Sequence, residues 1–115
     1  MIQRSHVGAR LSDMVIHNKT IYLAGQVADD PTKNAEGQTQ EIVAHIDRLL
    51  AEAGSDKTRI LSATIYLAHM NDYAAMNSVW DTWVPAQHTP ARATVEARLA
   101  KPEYRVEIQI IAAQP

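Results

Sequence analysis

Most of the chain falls into regular elements once its apolar and polar positions are read in order. Met14, Val15 and Ile16 form a short apolar run, His17-Asn18-Lys19-Thr20 supplies turn chemistry, and Ile21, Tyr22, Leu23 and Ala24 lead to Gly25. Two apolar runs divided by such a turn predict a β-hairpin. Residues 29–37, from Asp29-Asp30-Pro31 to Gly37, read as a polar loop. Over 38–53 the apolar residues Ile42, Val43, Ile46, Leu49, Leu50 and Ala53 recur at helical spacing, and Gly54 stands where a left-handed stop belongs. Residues 60–68 alternate Leu61, Ala63, Ile65 and Leu67 against Ser62, Thr64 and Tyr66, which predicts a strand. Asn71 is placed to cap a second helix carrying Tyr73, Met76, Trp80 and Trp83 near one face, with Pro85 and Pro90 bracketing its exit. Two strands close the chain. Ala91, Ala93, Val95, Ala97 and Leu99 alternate with Arg92, Thr94, Glu96 and Arg98; after Lys101-Pro102, Tyr104, Val106, Ile108 and Ile110 alternate with Arg105, Glu107 and Gln109. The predicted order is strand, strand, helix, strand, helix, strand, strand: an α+β fold in which two helices cover one face of a sheet. The opposite face, expected to carry Arg92, Thr94, Glu96 and Glu107 among small and apolar residues, must meet water or another subunit.

Length and composition narrow the class. With 115 residues, 46% hydrophobic and 21% charged, the chain suits one soluble domain spanning 1–115. The absence of cysteine excludes a disulfide framework, a thiolate metal site and a cysteine nucleophile. Eleven basic against thirteen acidic residues leave a net charge of −2, so nucleic acid is not the expected partner. The amino terminus has no apolar run of a signal peptide and no stretch is long enough to span a bilayer, so no membrane partner and a cytoplasmic location are expected.

The usual catalytic constellations do not occur. His6, His17, His45, His69 and His88 never stand three or four apart, so no helical metal pair forms and no metal site is expected. There is no Gly-x-Ser-x-Gly elbow and no glycine-rich phosphate loop. Trp80 and Trp83 could form a stacking platform, but sharing a stripe with Met76 favours packing on the sheet. Two residues hold more chemistry. Arg92 follows Pro90-Ala91 at a strand start, a rigid base for bidentate capture of a carboxylate, although an exposed strand-face arginine fits as well. Glu107 lies mid-strand between β-branched neighbours, where desolvation would raise its pKa and let it pass protons; a structural pairing with Arg92, Arg98 or Arg105 fits equally.

Gly25-Gln26, the Gly54 helix stop, Asn71-Asp72-Tyr73 with Asn77, Pro90-Ala91-Arg92-Ala93-Thr94-Val95 and Val106-Glu107-Ile108 occur in an order and spacing that resembles the RidA/YjgF reactive intermediate deaminases. The resemblance covers essentially the whole chain, and its most specific part is Pro-Ala-Arg followed fifteen residues later by Glu107. Val15-Ile16-His17-Asn18, Trp80-Asp81-Thr82-Trp83-Val84 and Tyr104-Arg105-Val106-Glu107 look like a small branch of that family. The resemblance implies a cofactor-free homotrimer with a chorismate-mutase-like fold that hydrolyses 2-imino acids of the 2-aminoacrylate type to 2-oxoacids and ammonia. It implies that the last strand inserts into the sheet, so that no local hairpin forms at Lys101-Pro102. Arg92 would hold the substrate carboxylate and Glu107 would activate water, with Asn77, Thr94 and the Gly25 backbone lining the pocket. Two positions depart from the family pattern. Gly8-Ala9-Arg10-Leu11-Ser12 replaces Gly-Pro-Tyr-Ser-Gln, which removes a pocket tyrosine, and Ala24 replaces a serine. The alternative function is therefore non-catalytic binding or sensing of small carboxylates, such as 2-oxoacids, through the same Arg92.

The uncovered sheet face also predicts self-association in a closed ring. Were the last two strands a hairpin, Arg92 and Glu107 would stand four residues apart along it, about 13 Å. A small substrate would then meet both only at an interface between chains.

Overall fold

The computed structural model describes residues 1–115. Six strands and two helices follow one another as β1 (Gln3–Val7), β2 (Ser12–His17), β3 (Thr20–Leu23), α1 (Ala35–Glu52), β4 (Ile60–Leu67), α2 (Tyr73–Trp83), β5 (Ala91–Glu96) and β6 (Val106–Ala113). They form one mixed sheet in the order β1-β2-β3-β6-β4-β5. β4 and β5 are parallel, with α2 as their crossover, and every other pairing is antiparallel. The last strand does insert, between β3 and β4, so no hairpin forms at Lys101-Pro102. Val106, Ile108, Ile110 and Ala112 point from β6 toward the helices and are fully buried. They meet Ile42, Ile46 and Leu50 of α1 and Ile65 of β4 in a single core.

Local physics accounts for most boundaries. α1 starts three residues before the apolar periodicity because Asn34 caps it: Oδ1 accepts the Gly37 N–H at 2.8 Å. It ends in a Schellman turn, with Ser55 N–H donating to Leu50 O (2.9 Å) and Gly54 N–H to Ala51 O (3.0 Å), at a left-handed Gly54 (φ 73°). Asn71 is not the cap of α2. It lies inside a short 3₁₀ turn, Met70–Asp72, and Asp72 at the cap position makes no side-chain bond to the helix. Trp80 and Trp83 are buried with ring centroids 5.3 Å apart, and Trp83 Nε1 turns to α1, donating to Asp47 Oδ2 at 3.0 Å.

The two final strands differ from the sequence expectation. β5 stops at Glu96 and residues 97–105 form a connection, which must run back over the end of β4 to reach the start of β6. β6 begins at Val106 rather than 104 and continues to Ala113. The facing of β5 is the reverse of that expected. Arg92 and Thr94 sit beside Ala63 and Ile65, which face the helices, whereas Ala91, Ala93 and Val95 occupy the open face. Alanine is small enough for either side of an edge strand. A long arginine can remain on the helix side because α2 leaves its head within reach of water. The open face displays Tyr22, Thr64, Tyr66, Glu107, Gln109, Ile111 and Val95, of which Tyr22 is 45% and Val95 40% exposed. No helix is long and apolar enough to cross a membrane.

A methyl group added at Gly54 meets nothing within 4 Å, so the cost of Gly54→Ala is that of left-handed backbone alone. Urea unfolding at fixed chain concentration should show a loss of about 1–2 kcal/mol.

Candidate active site

α2 presents Tyr73, Asn77 and Trp80 at i, i+4 and i+7, one helical face directed at the edge strand β5. Arg92 rises from β5 into that face. Its Nη1 donates to Asn77 Oδ1 at 2.8 Å and its Nη2 to the Tyr73 hydroxyl at 3.2 Å. The guanidinium carbon stands 5.4 Å from the centre of the Trp80 ring and 5.8 Å from that of Tyr73. Two hydrogen bonds and two aromatic faces hold a side chain that would otherwise sample many rotamers. Donors remain free for an anion, since a guanidinium carries five. No carboxylate of the chain pairs with it. Asn77 thus has a definite task, orienting Arg92. In the sequence, Tyr73 and Trp80 are marked as partners of Arg92 only by their helical spacing around Asn77.

Glu107 stands on the other face of the sheet. It sits beside Tyr66 of β4, and on its far side the chain leaving β3 bonds to the next residue of β6: Gln26 N–H donates to Ile108 O (2.8 Å) and Ile108 N–H to Gln26 O (3.0 Å). This bridge brings Gly25 against the Glu107 side chain. A Cβ at residue 25 would fall on the Glu107 carboxylate, so the glycine is what leaves room for it. The carboxylate is half-buried, accepts no hydrogen bond and pairs with no cation within the chain. Burial without compensation pushes its pKa above the ordinary carboxylate range. Of the arginines considered as its partners, Arg105 instead donates to Asp72 Oδ1 at 3.4 Å.

The structure therefore gathers the candidate residues into two separate groups. One joins Arg92 to Asn77, the other Glu107 to Gly25. Arg92 is level with Ala63 and Glu107 with Tyr66, so the two are separated by two strand spacings and three residues, about 14 Å between Cα atoms, on opposite faces. Thr94 shares the face of Arg92, and its Oγ1 is buried without a hydrogen-bond partner. The chain's concavity, about 870 Å³, lies at the ends of β4 and β5 against residues 96–102 and is lined by none of these residues. No group of three histidine or acidic side chains is placed to hold a metal ion.

Comparison with known proteins places this geometry. A family model described as Endoribonuclease L-PSP matches residues 1–114. The RutC family protein YoaB of Escherichia coli strain K12 is 51% identical over 112 residues, covering 97% of each chain. The 2-iminobutanoate/2-iminopropanoate deaminase of Capra hircus is 34% identical over 112 residues, covering 90% of this chain and 79% of that protein. A solved structure from Neisseria meningitidis, described as a member of the YjgF protein family, superposes with a TM-score of 0.97 at 51% identity, over 100% of this chain and 96% of that one. The chain belongs to the RidA/YjgF family.

The Gly25–Glu107 contact gives a direct test. Gly25→Ala forces the carboxylate, the far end of a flexible side chain, to move, while the backbone can stay. The melting temperature should change little, and the Glu107 titration followed by carboxyl NMR should shift from its parent value.

Proposed function

We propose that the protein is a cofactor-free deaminase of 2-imino acids, working as a homotrimer with each site shared between two chains. The observation that carries this reading is Glu107: a half-buried carboxyl without a partner, in space that a glycine leaves open, with a raised pKa. Such a group is suited to take and return a proton. The second support is Arg92, whose guanidinium is oriented by Asn77 and Tyr73 and keeps donors free for a carboxylate. The name of the Capra hircus relative, 2-iminobutanoate/2-iminopropanoate deaminase, is the third.

In this reading Arg92 of one chain holds the substrate carboxylate and Glu107 of its neighbour faces the imine carbon. Glu107 takes a proton from water as the hydroxyl oxygen bonds to C2, converting the protonated imine to a carbinolamine. It returns that proton to the amine nitrogen. The C–N bond then breaks as the hydroxyl oxygen forms the carbonyl, and the hydroxyl proton leaves with ammonia, giving a 2-oxoacid and ammonium. Imines hydrolyse without help in water, so orientation and a proton relay are sufficient assistance. The net charge of −2 supplies no excess of cations for a ribonucleotide backbone, whatever the description of the family model. The absence of the family's pocket tyrosine and the presence of Ala24 favour a second reading, retention of 2-oxoacids without turnover.

A coupled assay separates the two. With 2-aminoacrylate generated by a serine dehydratase, the deaminase speeds pyruvate release and a binder does not. Arg92→Ala should lower kcat/KM by about a hundredfold or more, with little change in melting temperature, and Arg92→Lys should restore little because an ammonium lacks the planar fork. Glu107→Gln should still bind a 2-oxoacid while turnover is lost. In the parent, kcat should fall as pH drops through a midpoint above the ordinary carboxylate range, since the carboxyl must be ionised to accept the proton and burial raises its pKa. An acid limb that persists unchanged in residual activity of Glu107→Gln would move the base elsewhere.

The shared site is tested by mixing. Arg92→Ala and Glu107→Gln chains, dissociated and reassembled together, should regain part of the activity that each lacks alone. Verified mixed assemblies with no recovery would place both residues in one subunit's site.

A further inference from the structure

Gln38, in the first turns of α1, is completely buried. A side-chain amide in such a place must find partners for both ends. Its Nε2 faces the carbonyls of Lys33 (2.9 Å), Glu103 (3.0 Å) and Pro31 (3.2 Å), and its Oε1 accepts the Arg105 N–H at 2.9 Å. One side chain thus ties the loop before α1 to the end of the 97–105 connection, 65 residues away in sequence.

That connection has few anchors of its own. Ala97 N–H donates to Leu67 O at 2.9 Å, Tyr104 N–H to Lys101 O at 3.1 Å, and Arg105 O accepts from Ala68 at 3.0 Å. Arg105 is therefore gripped on its N–H by Gln38 and on its carbonyl by Ala68, two residues before Glu107. Beyond Glu107 the Gln26–Ile108 bridge grips again. Glu107 lies between these two fixed points, in a space against Gly25 too tight for one extra methyl.

We propose that Gln38 is a positioning residue for Glu107: by fixing the backbone at Glu103 and Arg105 it sets where β6 begins, and hence how the carboxylate sits against Gly25. Gln38 touches neither the Arg92 group nor the carboxylate, and acts through the strand between them. The inference rests on Glu107 as the proton-transfer group, so its test includes a measurement that does not need turnover.

Gln38→Met keeps length and removes every polar contact. Gln38→Leu removes the same contacts with a smaller, uncharged side chain, a second variant should the first fail to fold. Thr39→Val is the control: Thr39 is equally buried on the same turn, its Oγ1 donates to Ala35 O at 2.7 Å, and it makes no bond to either loop. Carboxyl NMR of ¹³C-glutamate-labelled protein reads the Glu107 titration in each, and kcat and KM for a 2-imino acid are measured beside it. In the Gln38 variants the Glu107 midpoint should fall toward the ordinary carboxylate range as water enters. Their kcat should drop about tenfold or more while KM stays within about twofold, because Arg92 is undisturbed. Thr39→Val should leave all three at parent values despite its loss of stability. The proposal is overturned if a folded Gln38 variant keeps the parent titration of Glu107, or if Thr39→Val shifts it equally. A parent protein without turnover would instead overturn the deaminase reading, and the titration would still decide the role of Gln38.

Discussion

The insertion of β6 between β3 and β4 is the constraint on which the rest of the molecule depends. It joins the amino-terminal hairpin strands to the parallel β4–β5 pair, which have no other hydrogen-bonded link in the sheet. It needs a strand buried along one whole side, and Val106, Ile108, Ile110 and Ala112 meet that need. A central strand also surrounds its other side with neighbours. Glu107 is on that side, and it loses water to Tyr66 on one flank and to the Gly25 backbone on the other without gaining a hydrogen bond. The unusual carboxyl is thus a consequence of strand order before it is a matter of local sequence. The same insertion obliges residues 97–105 to cross the sheet's end without a ladder, and the buried Gln38 amide of α1 bonds to their backbone there.

Arg92 is under the opposite constraint. It belongs to the edge strand, where burial is incomplete, and it points toward the helices rather than away from them. A charge between a helix and a sheet would ordinarily be costly. Here α2 supplies a polar and aromatic stripe through Tyr73, Asn77 and Trp80, and Arg92 is only partly buried, so the protein partners offset much of the lost water. The two groups with unusual chemistry are prepared by different means: Glu107 by withdrawal of partners, Arg92 by provision of them.

This contrast explains what the sequence shows and what it hides. α1, the β2–β3 hairpin and β4 are legible because their periodicity is local and their burial one-sided: Ile42, Ile46 and Leu50 recur on a helix, and Ala63, Ile65 and Leu67 on a strand. β1 is not legible. Gln3–Val7 is exposed almost throughout and has no apolar alternation to detect, and only pairing with β2 makes it a strand. The facing of β5 is hidden for another reason, since Ala91 and Ala93 are compatible with either side and the decision comes from the register with β4. Strand insertion is non-local and is legible only through the family resemblance, whereas Arg92 and Glu107 stand out by their own sequence positions and take their joint role from that resemblance. The resemblance singled out Gly25 and Asn77 as well, but only the structure shows what each does: room for one side chain, orientation for the other.

The opposite facing of Arg92 and Glu107 bears on assembly more strongly than their separation does. Side chains on one face of a sheet can lean together over several ångströms, but no rotamer carries a side chain through a hydrogen-bonded sheet. With β4 standing between their strands, and with Ala63 and Tyr66 marking their rows, one chain has no position from which a small imino acid could reach both. The edge location of Arg92 is what the proposed sharing of a site between two chains requires. A guanidinium at an edge can extend past its own sheet toward a neighbour's open face, and the open face is where Glu107 stands among Tyr66, Gln109 and the exposed Tyr22 and Val95. Two like faces meeting symmetrically would bring Glu107 toward Glu107. An edge meeting a face is a heterologous contact, and a heterologous contact that closes forms a ring rather than a two-fold dimer. If the site is shared between chains as proposed, a ring is the assembly that follows from which element carries each residue.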